Sequence, residues 1–477
     1  MEDWVKEIVD EERKKRNVPL EAKLLNGNYY LYRSTSRYDR TGKKTIKVSE
    51  YIGRITKDGI IEKCKDTRSI YEYGNSALVY SLSADMIARL QKYFPDRWAD
   101  LYALSVVRLM DPVPLKSVKE RWEKLYASRG IEAHLSPNTL TGILRDTGSD
   151  MGAQMDLFQS LVTESGKLAF DLSSIFSRSE NLNMAAKGHN ADHIYLPQVN
   201  MALAFDLDQY RPVFLMPLEG SVRDVKSLRN ALGLIHFNGI LVLDTGFSSQ
   251  DLAEIMRMDM RFIMPLRRNQ DMIDYSMNLN SSFVYRDRGI RSGFINRNGL
   301  RIYMFQDQML MAEESSTFIR MIAEKRRTQK EFQSEYTKFG KISILSNVND
   351  DPETIYNLYK QREEIEQAFD AMKNELENDK SYLSDDDSLR GYFFVSFLSL
   401  YLYYSIFVLI RAADLTNKLS VKDVLLKFSK VYKIVGGKKE TLSEIPSGVE
   451  KIDELLGTNI FPSMKKVILS SSDPSSV

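Results

Sequence analysis

The stretch YKQREEIEQAFDAMK, Tyr359 to Lys373, carries a tyrosine, an arginine, a glutamate and a lysine at offsets that a helix would align. At roughly 100° per residue from Tyr359, Arg362 falls near ~300°, Glu366 near ~340° and Lys373 near ~320°. Leu358, Ile365, Ala368, Phe369, Met372 and Leu376 form the adjoining apolar stripe. A carboxylate, two cations and a phenol therefore flank a face expected to be buried. A solvated face with an Arg362–Glu366 pair uses the same spacing, so this helix alone does not choose between surface and site. Glu364 falls about 160° from Glu366 and is expected to take no part.

Two more carboxylates end short apolar runs, Asp171 in LAFD and Asp244 in LVLD. Open α/β sheets expose functional side chains at the carboxyl ends of their strands. Each acid alone also suits a strand-end turn or a helix cap. Together with Glu366 they make three carboxylates, the oxygen-only donor set that Mg²⁺ or Mn²⁺ requires. Two such ions about 3.5–4 Å apart activate a water and stabilise the leaving oxygen of a phosphodiester.

These motifs resemble those of DDE transposases of prokaryotic insertion sequences, in the group whose last catalytic helix reads Tyr-x2-Arg-x3-Glu-x6-Lys. Tyr359, Arg362, Glu366 and Lys373 match that pattern at every spacing, and DTGFSS, from Asp244, matches the turn around the family's second acid. GHNADH, the segment Gly220 to Asp224 and LRGYFFVSFLSL are similar to further family segments. Thr245 stands where arginine is frequent, Leu172-Ser173 where a β-branched residue and threonine are common, and Glu363 where an aromatic is common. The resemblance implies a ribonuclease-H-like mixed sheet flanked by helices and interrupted by a β-rich insertion before the last acid. It implies Asp171, Asp244 and Glu366 as catalytic, metal-holding residues, with Mg²⁺ or Mn²⁺ as cofactor. It implies that Tyr359, Arg362 and Lys373 grip double-stranded DNA, at inverted-repeat ends and target, in a homodimer on paired ends. The implied setting is the prokaryotic cytoplasm, at the nucleoid. A DNA-binding descendant that has lost catalysis is the alternative.

The elements that must position these residues are legible as patterns. Alternating YYLYRST and TIKVSEYIGRI around RYDRTGKK read as a β-hairpin within 28–62. Its segment 33–57 holds eight Lys/Arg, so Arg37, Arg40, Lys43 and Lys44 at the tip are candidate phosphate contacts. Residues 84–165 read as helical, with SPNTLTGIL as a helix start. The runs LAFD, VNMALAFD, PVFLMPLE, ILVLD and RFIMPL read as buried strands. Between Asp244 and Glu366 lies far more chain than one strand and a linker need, and Arg267, Arg268, Arg286, Arg288, Arg291, Arg297 and Arg301 fall there. Asp351-Pro352 is expected to cap the helix that leads to Tyr359. The reading divides the chain into an N-terminal hairpin-plus-helices DNA-binding region (1–165), a catalytic core in two parts (166–266 and 341–412), a β-rich insertion (267–340) and a C-terminal helical region with a disordered tail (413–477).

Composition narrows the classes. The 477 residues have a net charge of only +1, so no global basic field marks a nucleic-acid partner. One cysteine, Cys64, excludes an internal disulfide and a multi-cysteine zinc site and fits a reducing compartment. The charged opening MEDWVKEIVDEERKKRN does not read as a signal peptide. Gly391 to Ile410 has the length of a membrane span, but its serines and tyrosines favour a buried core helix and no membrane partner. His189 and His193 have H-x3-H spacing without a third soft ligand nearby, which argues against zinc.

Overall fold

The computed structural model describes residues 1–39, 44–62, 68–163, 166–177, 179, 181–187, 197–221, 236–244, 260–375, 380–381, 383, 385–436 and 439–462. The chain divides into two compact units, Met1–Ile70 with Ile434–Thr441, and Tyr71–Lys433 with Leu442–Val477.

In the first unit a helix, Asp3–Arg16, places Val5 and Val9 on one face. Four strands follow: β1 (Leu20–Leu25), β2 (Asn28–Asp39), β3 (Lys44–Thr56) and β4 (Gly59–Glu62), in the order β1-β2-β3-β4. Val5 and Val9 meet Leu20, Leu31 and Ile55 in a small core. β2 and β3 are the expected hairpin. Arg40 and Lys43 at its tip lie outside the described residues, and so do the side chains of Arg37 and Lys44.

The second unit is built on a mixed sheet. Setting aside β5 (Arg68–Glu72), which belongs to a separate three-stranded sheet, its strands are β6 (Lys167–Ser177), β7 (Gln198–Asp206), β8 (Arg211–Glu219), β9 (Ile240–Val242) and β10 (Arg261–Leu266). They lie in the order β8-β7-β6-β9-β10. β7 is antiparallel to both neighbours, while β6, β9 and β10 run parallel. That order and sense are those of a ribonuclease-H-like sheet. Every residue of β7 is buried, as its continuous apolar run requires of a strand covered on both faces. The insertion supplies β11 (Ser281–Tyr285), β12 (Arg288–Arg297) and β13 (Leu300–Asp307). These strands do not stand apart. They join the same sheet through β14 (Lys341–Ser346), which pairs antiparallel with both β13 and β10.

One long helix, Asp386–Ala412, is the apolar run noted above. It is long and apolar enough to cross a membrane, yet 78% of its apolar window is buried inside the protein. It packs on β8 and on the helices Pro137–Ser149 and Trp98–Met110. The helix Pro137–Ser149 comes close enough to need glycine: a Cβ on Gly391 would stand 1.9 Å from the Leu144 carbonyl oxygen. The helices between Gly74 and Leu161 share one buried cluster with the sheet. Capping follows the sequence expectation. Ser136 accepts from Thr139 N ahead of Pro137, and Asp351 accepts from Thr354 N ahead of Pro352.

Candidate active site

Asp171 does not end its strand, as the apolar run LAFD suggested. β6 continues past it, because residues 168–176 keep pairing with β7 while the parallel partner β9 stops opposite Ala169. Asp171 therefore sits where the sheet loses a strand on one side. Lys167, Leu168 and Ala169 face Ile240, Leu241 and Val242. Carried two residues further, that register would set Asp171 level with Asp244 on the segment that follows β9, and the Asp244 charge does reach the Asp171 carboxyl. The backbone beyond β9 still follows this path, since Leu243 N donates to Ile263 O at 2.9 Å.

The third acid arrives on the helix after β14. The line drawn from sequence assumed one straight helix from Tyr359 to Lys373. Instead Pro352–Gln361 and Glu363–Asp370 meet at a tight turn, with Arg362 N donating to Tyr359 O and Ile365 N to Arg362 O. Residues 371–375 then widen into a π-type turn. The first irregularity overwinds the helix and the second underwinds it, so the four side chains still face the sheet acids. Such irregular turns recur at functional sites.

Arg362 ties two of the acids together. Its Nη1 lies 2.9 Å from Asp244 Oδ1 and 2.8 Å from Glu366 Oε1. The arginine side chain is only 12% exposed, against 53% for Glu366. Its Nε is buried without a hydrogen-bond partner among the described residues. Tyr359 is half-buried beside it, the guanidinium carbon lying 5.7 Å from the ring centre. Burial pushes the Tyr359 phenol above its ordinary pKa. Lys373 Nζ donates to Ser173 Oγ at 2.6 Å. Ser173 is two residues beyond Asp171 on β6, hence on the same face. The serine keeps the hydroxyl that the resembling family's threonine would supply.

Burial, and then the facing charge of Asp244, push the Asp171 carboxyl from 3.8 up to about 7. Leu172 N donates to Asp171 Oδ1 at 2.8 Å and partly offsets this. The Arg362 charge offsets it further, while Glu366 adds to it. The three acids thus form one electrostatic site that is short of positive charge. Their oxygen-only chemistry suits a hard divalent cation. Among the described residues no three acidic, histidine or cysteine side chains stand close enough to hold an ion together. The Arg362 guanidinium lies between two of the acids and supplies positive charge there.

Residues 167–402 match the family model described as the transposase DDE domain. Residues 167–402 are thus similar to a transposase DDE domain. Asp171, Asp244, Tyr359, Arg362, Glu366 and Lys373 all fall inside it. A solved structure titled as the cryo-EM structure of a piggyBac transposase synaptic complex with hairpin DNA is also similar, at 10% identity and a TM-score of 0.41, covering 82% of this chain and 86% of that one. No curated protein matches the chain.

Sequence reasoning missed several residues that support this site. Glu364, expected to take no part, is buried and accepts from Arg411 Nη1 at 2.9 Å. Arg411 in turn stacks on Tyr210 at 3.6 Å. The signal was present, since Arg411 is the charge that ends the long apolar run, but nothing local pointed to its partner. Glu363 meets Lys360 and, from the insertion, Arg286. Most of the insertion's arginines are engaged: Arg268 pairs with Glu314, Arg288 with Asp307, and Arg291 donates to the Leu279 carbonyl. Arg297 is exposed. His189, His193 and the DTGFSS turn after Asp244 lie outside the described residues.

Proposed function

We propose that this chain is a DNA transposase. It binds the inverted-repeat ends of an insertion sequence, cuts them by metal-dependent hydrolysis and transfers the 3′ ends into target DNA. The observation that carries the reading is the joining of Asp244 and Glu366 through Arg362, beside Asp171, whose carboxyl feels the Asp244 charge. In this reading the three carboxylates hold the cation. Bound Mg²⁺ or Mn²⁺ would supply Lewis-acid stabilisation of phosphodiester oxygens and a more acidic attacking water. Arg362 turns from the acids to a DNA phosphate, where its planar fork suits bidentate contact. Lys373, anchored by Ser173, places a point charge beside Asp171. Tyr359 stacks on a base or bonds a phosphate oxygen. The working form is a homodimer on paired ends of double-stranded DNA, in the cytoplasm of a prokaryote at the nucleoid.

A second reading, a DNA-binding descendant without catalysis, draws on the Arg362 bridge, which closes two of the three acids onto a guanidinium. Nicking of a duplex carrying the repeats that flank the gene separates the two. Cleavage that needs Mg²⁺ or Mn²⁺ and stops with EDTA is expected. Binding without cutting would leave the second reading, and cutting that survives EDTA would remove the metal from the mechanism.

A further inference from the structure

A cavity of about 180 Å³ opens beside the long Asp386–Ala412 helix, at the end of the sheet where β6 begins. It is lined by Asp85, Arg89, Ser160, Gln209, Arg211 and Tyr401, among others. Asp171 lies four residues further along β6, about 13 Å away at strand rise. The cavity is therefore not part of the acidic site.

Its charge is unbalanced among the described residues. There, two guanidinium groups face one carboxylate. Arg89 Nε takes Asp85 at 2.9 Å, and its Nη1 donates to both the carbonyl and the hydroxyl of Ser160. Arg211 is different. Its Nη1 donates to the Tyr401 hydroxyl at 2.9 Å, and its guanidinium carbon stands 5.5 Å from the Tyr401 ring centre. Tyr401 then donates to Asp85 at 3.3 Å. A nearly buried tyrosine therefore positions Arg211, and no carboxylate among the described residues neutralises it. Each guanidinium carries five N–H donors. Nη2 of Arg89, and Nε and Nη2 of Arg211, have no partners among the described residues. Holding a half-buried cation in place without an anion costs solvation free energy. An oxyanion entering the cavity would recover it through charge-assisted bonds to both forks.

We propose that this cavity is an oxyanion site that takes one phosphate group. The phosphate is either free or a phosphodiester of bound DNA. Arg211 and Arg89 supply the donors, and Tyr401 and Asp85 set their orientation. The site is independent of the proposed cleavage chemistry.

The test uses the full chain and Arg211→Gln, which removes the charge while sparing the Arg89–Asp85–Ser160 bonds. Inorganic phosphate is titrated against chloride at matched ionic strength, and DNA affinity is measured across a salt series. Folding of the variant is checked by its unfolding transition in chloride, and Arg211→Lys serves if Arg211→Gln does not fold. If free phosphate is the occupant, the parent binds it and Arg211→Gln weakens it about tenfold or more. If a DNA phosphate is the occupant, free phosphate has no effect, and the log–log salt slope of DNA binding falls by about one unit in the variant. A parent that ignores phosphate, together with an unchanged salt slope, overturns the proposal. None of these readouts requires strand cleavage, so the failure of one proposal is distinguishable from the failure of the other.

Discussion

Arg362 and Asp244 share a 2.9 Å ion pair, and the same arginine nitrogen lies 2.8 Å from Glu366. The residue proposed to grip DNA thus neutralises the acids proposed to hold metal. Arg362→Gln is expected to tighten Mn²⁺ binding to the DNA-free chain about tenfold, because a competing cation is gone. It is expected to weaken end-DNA binding in the same buffer. Titration of Mn²⁺ by calorimetry reads the first effect without any turnover. Unchanged Mn²⁺ affinity would mean that the guanidinium does not occupy the cation's place.

Glu366→Gln keeps the volume but loses the charge that a metal needs. End-DNA binding should be at least as strong as in the parent, with cleavage lowered on the order of 10³-fold, about 4 kcal/mol. Glu364→Gln does not serve as a neutral control, since it removes the charge that buried Glu364 presents to Arg411. It should lower stability by about 1–3 kcal/mol. The exposed Asp370→Asn is the better control. If Glu366→Gln still cuts, the site is misassigned.

Asp171 ionises near 3.8 when unfolded and near 7 when folded. Across that window the unfolded chain gives up a proton that the folded chain keeps, so this group's contribution to stability falls as pH rises. Above the window the loss is complete. Asp171→Asn removes it. The variant should therefore unfold at a higher temperature than the parent above the window, with the gap closing toward acid pH. Mg²⁺ binding must displace the same proton, so metal affinity in the parent should rise with pH up to about 7 and then level off. A gap between parent and variant that does not change with pH would contradict the assignment.

Gly391→Ala would place a Cβ 1.9 Å from the Leu144 carbonyl oxygen. The two helices cannot keep their approach, and the overpacking should cost about 1–3 kcal/mol. A denaturant midpoint equal to the parent's would show that the helices can separate freely.

The hairpin tip carries Arg37, Arg40, Lys43 and Lys44. Replacing all four by alanine should flatten the salt dependence of DNA binding by about 0.9 in log–log slope for each phosphate that is no longer neutralised. An unchanged slope would assign the tip to solvent.

The sequence by itself determined the elements and the roster of reactive groups. The apolar runs of β6 to β10 named the buried strands, because a strand covered on both faces admits few polar residues. Asp351 and Ser136 announced helix starts, because their caps are local hydrogen bonds. The offsets of Tyr359, Arg362, Glu366 and Lys373 survived two irregular turns, because helical periodicity is also local. Only the tertiary structure decided what those groups meet. The approach of Asp244 to Asp171 depends on a parallel register between strands separated by a long stretch of chain. The Lys373–Ser173 bond and the Glu364–Arg411 pair join residues that no local pattern links. Arg362 read as free for phosphate, yet it closes on two acids, because its own burial strips water from the guanidinium and its charge takes the nearest carboxylates instead.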